Sequence, residues 1–353
     1  MSQVGESAKL KGAPNPDDSR KPRSVRGVSW AAWKLVFRTS ARGFVSHGLV
    51  DMAASLTYFA LLALAPSLVA LMSLSVVFGS GRSLAQLLLT TVDEVAPGSA
   101  ITLIRVPLEN FVKSPAVGYA LVIGVLFAIW TTSSYVSAFG RSLNRIYEID
   151  EGRPLWKLRP TQILVGLAVI ALVLIIVGAL VLTAPVAKGI GDALNLGQAW
   201  VVTWSIAKWP IFISGVVVTV AVLNYATPNV RQPKFRWMSE GAFITVIVLA
   251  GVSLLFSLYV SNFAQFDKTY RAFAGVVVFL LWLWIANLTL LFGAEVDAQF
   301  ERARELEAGI KAENKIQLPP RDTQASERAA KRRRRDIRAG RKIRRQRDSD
   351  GEH

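Results

Sequence analysis

The side chains in this sequence that could do chemistry are few, and the most suggestive lie where charge is costly. Asn287 and Glu295 stand inside the apolar run LLWLWIANLTLLFGAEVDAQF, while Asp51 and Glu240 stand where other apolar runs begin. There is no cysteine, which excludes thiol nucleophiles, cysteine-ligated zinc and iron–sulfur clusters. The only histidines are His47 and His353, too few for a histidine-based metal site or triad. HExxH, Walker, GxSxG and GxGxxG patterns are absent. Asp51, Glu240 and Glu295 come from three separate segments, and a two-metal site would require them to converge within a few ångströms of bound ions. The sequence therefore leads us to expect no catalytic residues, no cofactor and no metal.

The elements that position these groups follow from composition. The chain has 353 residues, is 52% hydrophobic and carries a formal net charge of +16. Hydrophobic and basic residues are segregated along it, the pattern of a membrane protein with basic ends. A spanning helix needs roughly 20 apolar residues. Six segments meet that length: Met52–Phe78, Ala116–Phe139, Ile163–Ala187, Ala199–Leu223, Glu240–Val260 and Ala272–Ala298. The fourth is interrupted by Lys208 and Pro210, so its first turns are expected at the interface, with Lys208 reaching toward headgroups. The expected fold is all-α and polytopic, with residues 1–47 as a basic segment, 48–300 as the membrane domain and 301–353 as a polar tail. The first apolar run follows a long polar segment, so no cleavable signal peptide is expected.

Lysine and arginine fix an expected orientation. Nine precede His47, five lie in Gly140–Pro160, three in Asn224–Trp237 and seventeen after Phe300. The alternate connections hold three in Gly79–Ser114, one in Pro185–Gln198 and two in Ser261–Arg271. Cytoplasmic loops carry the basic excess, which places both termini inside. In the first external connection, Leu84, Leu87, Leu88, Val92 and Val95, then Ile101, Ile104, Leu108 and Phe111, follow helical spacing, predicting two short amphipathic helices. The tail 301–353 is expected to be disordered, and its stretch Lys331–Arg347, with eleven basic residues and one acidic residue, suits anionic lipid. Nothing aromatic is interleaved there to stack on bases, so nucleic acid is not the expected partner.

On that orientation the polar groups share a depth. Asp51 and Tyr58 open the first span, Thr131 and Ser134 lie in the inner half of the second, and Asn144 and Tyr147 follow it. Asn224 and Tyr225 close the fourth, Glu240 begins the fifth, and Asn287 and Glu295 lie in the sixth, about 12 Å and some 80° apart. They predict a polar cavity open to the cytoplasm, because ionisable groups in membranes usually face the bundle interior. Each also has a plain structural reading: a carboxylate at a helix N-terminus, or an amide bonded to a neighbouring helix. Pro66 should kink the first span, and Arg271 stands at the external mouth, so both are gating candidates.

The stretches DMAASLTYFALLALAPSL, IWTTSSYVSAFGRSLNRIYEIDEGRPLWKLRP, NYATPNVRQPKFRW and FSLYVSNFAQFDKTYRAFAGVVVFLLWLWIANLTLLFGAEVDAQ resemble, in order and spacing, the YihY/BrkB family of bacterial inner-membrane proteins. The matching positions are Asp51, Tyr58, Pro66, Asn144, Tyr147, Arg153, Tyr225, Pro228, Asn229, Gly241, Tyr259, Tyr270, Trp282, Gly293 and Glu295. Two departures are Ser239-Glu240-Gly241, where the family has Pro before the glycine, and Arg271, where it has Gly. The resemblance implies a role in envelope integrity and in moving lipids or other amphiphiles. Members also once carried a tRNA-processing ribonuclease label, which the absence of catalytic residues here opposes. The expected function is binding or translocation of an amphiphilic solute or lipid, with a lipid- or partner-binding scaffold as the alternative. Oligomeric state is not legible, since no GxxxG seam is present.

Overall fold

The structure, a computed structural model, describes residues 9–22, 27–77, 117–181, 197–233, 240–263 and 271–350. After a short 3-10 turn at Lys9–Gly12, the described residues form eight helices: α1 (Trp30–Ser46), α2 (Leu49–Val77), α3 (Val117–Ile146), α4 (Leu155–Val181), α5 (Gly197–Ala226), α6 (Glu240–Phe263), α7 (Arg271–Glu307) and α8 (Gln324–Asp350). The six expected spans correspond to α2–α7. Five of them carry apolar stretches long enough to cross a bilayer, and α6 carries a shorter one, Ala242–Phe256. The amphipathic helices expected in the first long connection lie outside the described residues.

Helices are the form such segments must take, because hydrocarbon offers no partner to an open backbone group. Hydroxyls obey the same constraint: Thr131 Oγ1 donates to Phe127 O at 2.8 Å, and Thr219 Oγ1 to Gly215 O at 2.7 Å. Several helices outrun their apolar stretches. α4 begins at Leu155, two turns before Ile163, and α7 continues past Phe300 to Glu307. Hydropathy marks the surface that lipid touches, whereas the backbone ladder stops only where capping or proline stops it.

α2 lies along α3 and α7, α4 lies between α3 and α5, and α6 rests on α7. α5 and α6 meet only sparingly, so the spans form a ring with one thin seam. The N-terminal ends of α2, α4 and α6 share one end of this ring with the C-terminal ends of α3, α5 and α7. We call it the basic end. The main core gathers there, around Leu49, Leu56, Phe139, Leu143, Ile146 and Leu291, all 1% exposed or less. Along the spans, large apolar side chains such as Phe127, Leu164, Ile206 and Leu254 stay exposed, as lipid-facing residues do.

Two further elements cover the basic end. The segment 1–47, expected only to be basic, contains the helix α1, capped where Ser29 Oγ accepts from Ala32 N at 3.3 Å. Its inner face places Ala32 and Val36 on Val296, Phe300 and Ala303 of α7, with Trp33 edge-on to Phe300 at 4.6 Å between ring centres. A left-handed Gly48, φ +68°, turns the chain from α1 into α2. Ahead of α1, Lys21 is buried, its Nζ 2.7 Å from Glu301 and 3.4 Å from Glu305 of α7.

The described part of the polar tail forms a strap and a helix. After Gly309, residues 310–323 form a strap that folds back across the basic end and buries Ile310, Ala312, Ile316 and Leu318. An isolated bridge pairs Val230 with Pro320, with Arg231 N donating to Pro319 O (2.9 Å) and Arg321 N to Asn229 O (3.0 Å). The strap is held because span ends and loops present backbone groups that need partners, a demand that composition alone does not reveal. Lys331–Arg347 is helical, within α8, and exposed.

Candidate functional site

The described polar residues of the basic end include two closed clusters and, beside the second, an open hollow. The first cluster joins α1, α2, α3 and α7. Asn287, 2% exposed, donates from Nδ2 to Leu283 O (2.9 Å) and Thr57 Oγ1 (3.3 Å), and its Oδ1 accepts from Tyr135 Oη at 2.9 Å. Glu295 is fully buried one step nearer the end. It lies 2.8 Å from His47 Nδ1 and accepts from Gln299 Nε2 at 2.9 Å. Gly43 of α1 passes directly over that carboxyl, where a Cβ would come within 2.6 Å of Glu295 Cδ. On its other side His47 Nε2 faces Glu148 Oε1 at 3.8 Å. Glu148 and Glu295 favour the imidazolium and raise the His47 pKa to about 9. Glu148 ends α3 in the left-handed region, φ 52°, and Ile149 N bonds back to Asn144 O at 2.9 Å.

The second cluster locks the α3–α4 loop to the end of α5 and to the strap. Asn144 Nδ2 donates to Glu151 Oε2 at 3.0 Å, and its Oδ1 accepts from Asn229 N at 2.7 Å. Asn229, fully buried, donates to Asp150 O and Asp322 O and accepts from Asp322 N, all within 3.1 Å. Arg153 makes a forked pair with Glu151 (both bonds 2.8 Å) and also reaches Thr227 O at 2.6 Å. Arg321 of the strap lies over the Tyr225 ring, 5.2 Å from its centre. Burial lowers the pKa of that guanidinium, with the Arg153 charge adding to the effect.

Beside this cluster opens a hollow of about 240 Å3 between α3, α4 and the end of α5. Arg141, Arg153 and Arg159 line it against a single carboxylate, Glu151, while Val136, Leu155, Leu158, Val165 and Ala226 supply apolar wall. Arg141 Nη1 donates to the neutral Ser137 Oγ at 2.8 Å, so only the Arg153 charge is neutralised locally. The first turn of α4 forms part of the rim, adding the positive end of a helix dipole. Three guanidinium groups, one carboxylate and an apolar wall at a span end make a fit for an anion joined to an apolar body.

The expected site residues are thus dispersed. Asn287 and Glu295 share an interior, but their hydrogen bonds close it. Thr131 and Ser134 bond to carbonyls of their own helix, Ser134 Oγ to Trp130 O at 3.0 Å. Asp51 is exposed, and Tyr58, 59% exposed, points out of the bundle. Tyr147 is buried and its hydroxyl accepts from Gln232 Nε2 at 3.3 Å, while the Asn224 carbonyl accepts from the same amide at 2.9 Å. The Asn224 side-chain amide is buried without a hydrogen-bond partner among the described residues. Pro66 stands within a continuous α2. Glu240 and Arg271 begin α6 and α7, and their side chains lie outside the described residues. None of these candidates lines the hollow. His47, Arg141, Glu151, Arg159, Gln162 and Thr227 went unremarked as site residues. Glu151-Gly152-Arg153-Pro154, a charge pair at a tight inter-span loop, was the available signal.

Comparison with known proteins agrees with this architecture. A Bacillus subtilis protein named as ribonuclease-like, YfkH, is 26% identical over 263 residues, covering 74% of this chain and 94% of its own. A UPF0761 membrane protein of Bordetella petrii is 28% identical over 266 residues, 74% of this chain and 56% of that protein. Another from Pseudomonas paraeruginosa is 24% identical over 279 residues, 76% and 63% respectively. The chain therefore spans little more than half the length of these two membrane proteins. No solved structure matches it. Residues 40–317 match the family model described as virulence factor BrkB, and the chain, an integral membrane protein of stacked apolar helices, belongs to that family.

Proposed function

We propose that this protein maintains the bacterial envelope by binding an anionic amphiphile, most simply a lipid, at its cytoplasmic face, as a step in translocating it. On this reading both termini are cytoplasmic, as the charge asymmetry of the connections supports. The observation that carries the proposal is the hollow between α3, α4 and α5. Three arginines stand against one carboxylate beside an apolar wall, where α3 and α5 end and α4 begins. An anionic headgroup satisfies the charge, and the acyl region continues onto the exposed lipid-facing surface of Leu155 and Leu164.

The test is lipid retention by the full chain in nanodiscs of mixed lipid, read by native mass spectrometry. Wild type should hold anionic over zwitterionic phospholipid, and the Arg141→Glu/Arg159→Glu double variant should weaken that preference at least tenfold. Each reversed charge near an anionic surface is worth about 1 kcal/mol or more. Equal retention by the two proteins would remove the reading.

A second reading, a scaffold that grips anionic lipid through its tail, has α8 in its favour. Arg328 lies 5.6 Å from the Trp156 ring centre and anchors the helix, while Lys331–Arg347 extends exposed beyond it. Truncation after Ala330 separates the two: a scaffold loses its phenotype, whereas a hollow-dependent protein keeps it. Among the described residues no group of three or more histidine and carboxylate side chains converges on a metal position, so the ribonuclease-like name of the Bacillus relative gains no support from this geometry.

A further inference from the structure

Gln162 sits in α4 two turns from its start, lines the hollow, and is 8% exposed. Its Oε1 is buried and accepts no hydrogen bond among the described residues. Natural interiors rarely leave such a group unanswered, because a buried carbonyl without a donor costs about 1–3 kcal/mol. The neighbouring lining cannot supply one from the apolar side, where Leu158 and Val165 lie within a turn of Gln162 on the same helix. Of the guanidinium groups, Arg153 is itself buried and committed to Glu151 and Thr227. The hollow thus combines three guanidinium groups with, about 10 Å along α4 from Leu155, one unanswered amide oxygen.

Resting on the lipid-binding reading above, we infer that the hollow selects a phosphate ester whose headgroup carries a free hydroxyl, a polyol phospholipid of which phosphatidylglycerol is the simplest. The phosphate meets Arg141 and Arg159 as a charge-assisted, planar-fork interaction. The hydroxyl donates to Gln162 Oε1, and because a hydroxyl also accepts, it fits whichever way the amide is turned. A methyl or choline headgroup has no hydroxyl to donate and leaves the oxygen unanswered. An ethanolamine headgroup offers a donor but carries a cation into a site that already holds three. The volume agrees: about 240 Å3 is below the roughly 300–1,000 Å3 of pockets that enclose drug-sized molecules, and suits a headgroup rather than a whole lipid.

The test compares two lipids of equal charge, with a soluble headgroup phosphate beside them, on the full-length protein in detergent or nanodiscs. Dioctanoyl phosphatidylglycerol and dioctanoyl phosphatidylmethanol differ in the hydroxyls but share the phosphodiester and chains, and glycerol 1-phosphate supplies the headgroup without a lipid. Wild type should bind phosphatidylglycerol about tenfold tighter than phosphatidylmethanol, the usual effect of one buried hydrogen bond. Gln162→Met, close in shape, should level the two while keeping the shared anionic affinity. Equal wild-type binding of both lipids overturns this inference and leaves the anionic-amphiphile reading standing, and needs no variant to fold. Binding of neither overturns both. Glycerol 1-phosphate binding as tightly as the lipid would make the ligand a soluble polyol phosphate and overturn the lipid assignment.

Discussion

The sharpest consequence of the structure concerns His47 at the corner between α1 and α2. Flanked by Glu148 and Glu295, its pKa is raised to about 9 from an ordinary 6.5. A group whose folded pKa is raised contributes stability that is fully present below its unfolded pKa and is lost as pH rises through the folded value. The window is therefore pH 6.5 to 9, with the loss continuing slightly above. Taken in full, the shift is worth about 3 kcal/mol, of which about 2 kcal/mol disappears between pH 7 and pH 9. Glu148 is 38% exposed and stands 3.8 Å away, so solvent screens its share. Halving the figure leaves a loss of about 1 kcal/mol across that interval, or about 2 °C in thermal midpoint for a chain of this size. Reversible unfolding in mixed detergent, followed by tryptophan fluorescence at pH 7, 8 and 9, would register it. His47→Gln should unfold more easily at pH 7 and lose the alkaline slope, because it removes the titrating group while keeping a donor near Glu295. A Gln variant that retains the wild-type slope, or a wild type that becomes more stable toward pH 9, would refute this role for His47.

Two other perturbations follow from the same end of the bundle. Gly43→Leu drives a side chain into the Glu295 carboxyl and should destabilise by 3 kcal/mol or more, on the order of overpacking plus a displaced buried charge, visible as loss of monodisperse protein on size exclusion. Gly43→Leu combined with Glu295→Ala should recover part of it. Truncation after Gly309 removes the strap and uncovers what Ile316 and Leu318 bury, at about 1.5–3 kcal/mol per side chain, whereas truncation after Ala330 should leave the thermal midpoint within about a degree.

Much of the fold could be read in the sequence because lipid imposes a rule that composition obeys. Apolar runs of sufficient length became α2–α7, including the fourth, where Lys208 and Pro210 lie inside a continuous α5. What escaped was everything built from charge. Lys21, Glu301 and Glu305 form a buried set, and nothing in a sequence says that a lysine about 280 residues away will close on two carboxylates. The same holds for the candidate site: depth and helical phase place Asn287 toward the interior, but they do not disclose whether a neighbour such as Tyr135 will take its oxygen. The residues that do line an opening, Arg141, Arg159 and Gln162, sat in stretches that the positive-inside count treats as topological ballast.

On the proposed binding reading, those arginines have a second physical role. In the α3–α4 loop, Arg153 is turned inward by Glu151 and the Thr227 carbonyl, while Asn144 and Asn229 hold the loop rigidly against α5 and the strap. A loop merely obeying a charge rule would need none of these bonds, since solvated arginines fix orientation equally well. Rigid positioning of Arg153, with Arg141 and Arg159 beside it and an apolar wall beneath, costs conformational entropy that orientation alone does not repay. Binding does repay it, because a preorganised cationic pocket loses less on capturing an anion. Asn144→Ala separates these roles: it should leave membrane orientation unchanged, as read by reporter fusions at both termini, while loosening the loop and weakening anionic-lipid retention. If orientation and retention both survive the substitution, the bonded network serves packing only, and the hollow beside it loses its claim to be a site.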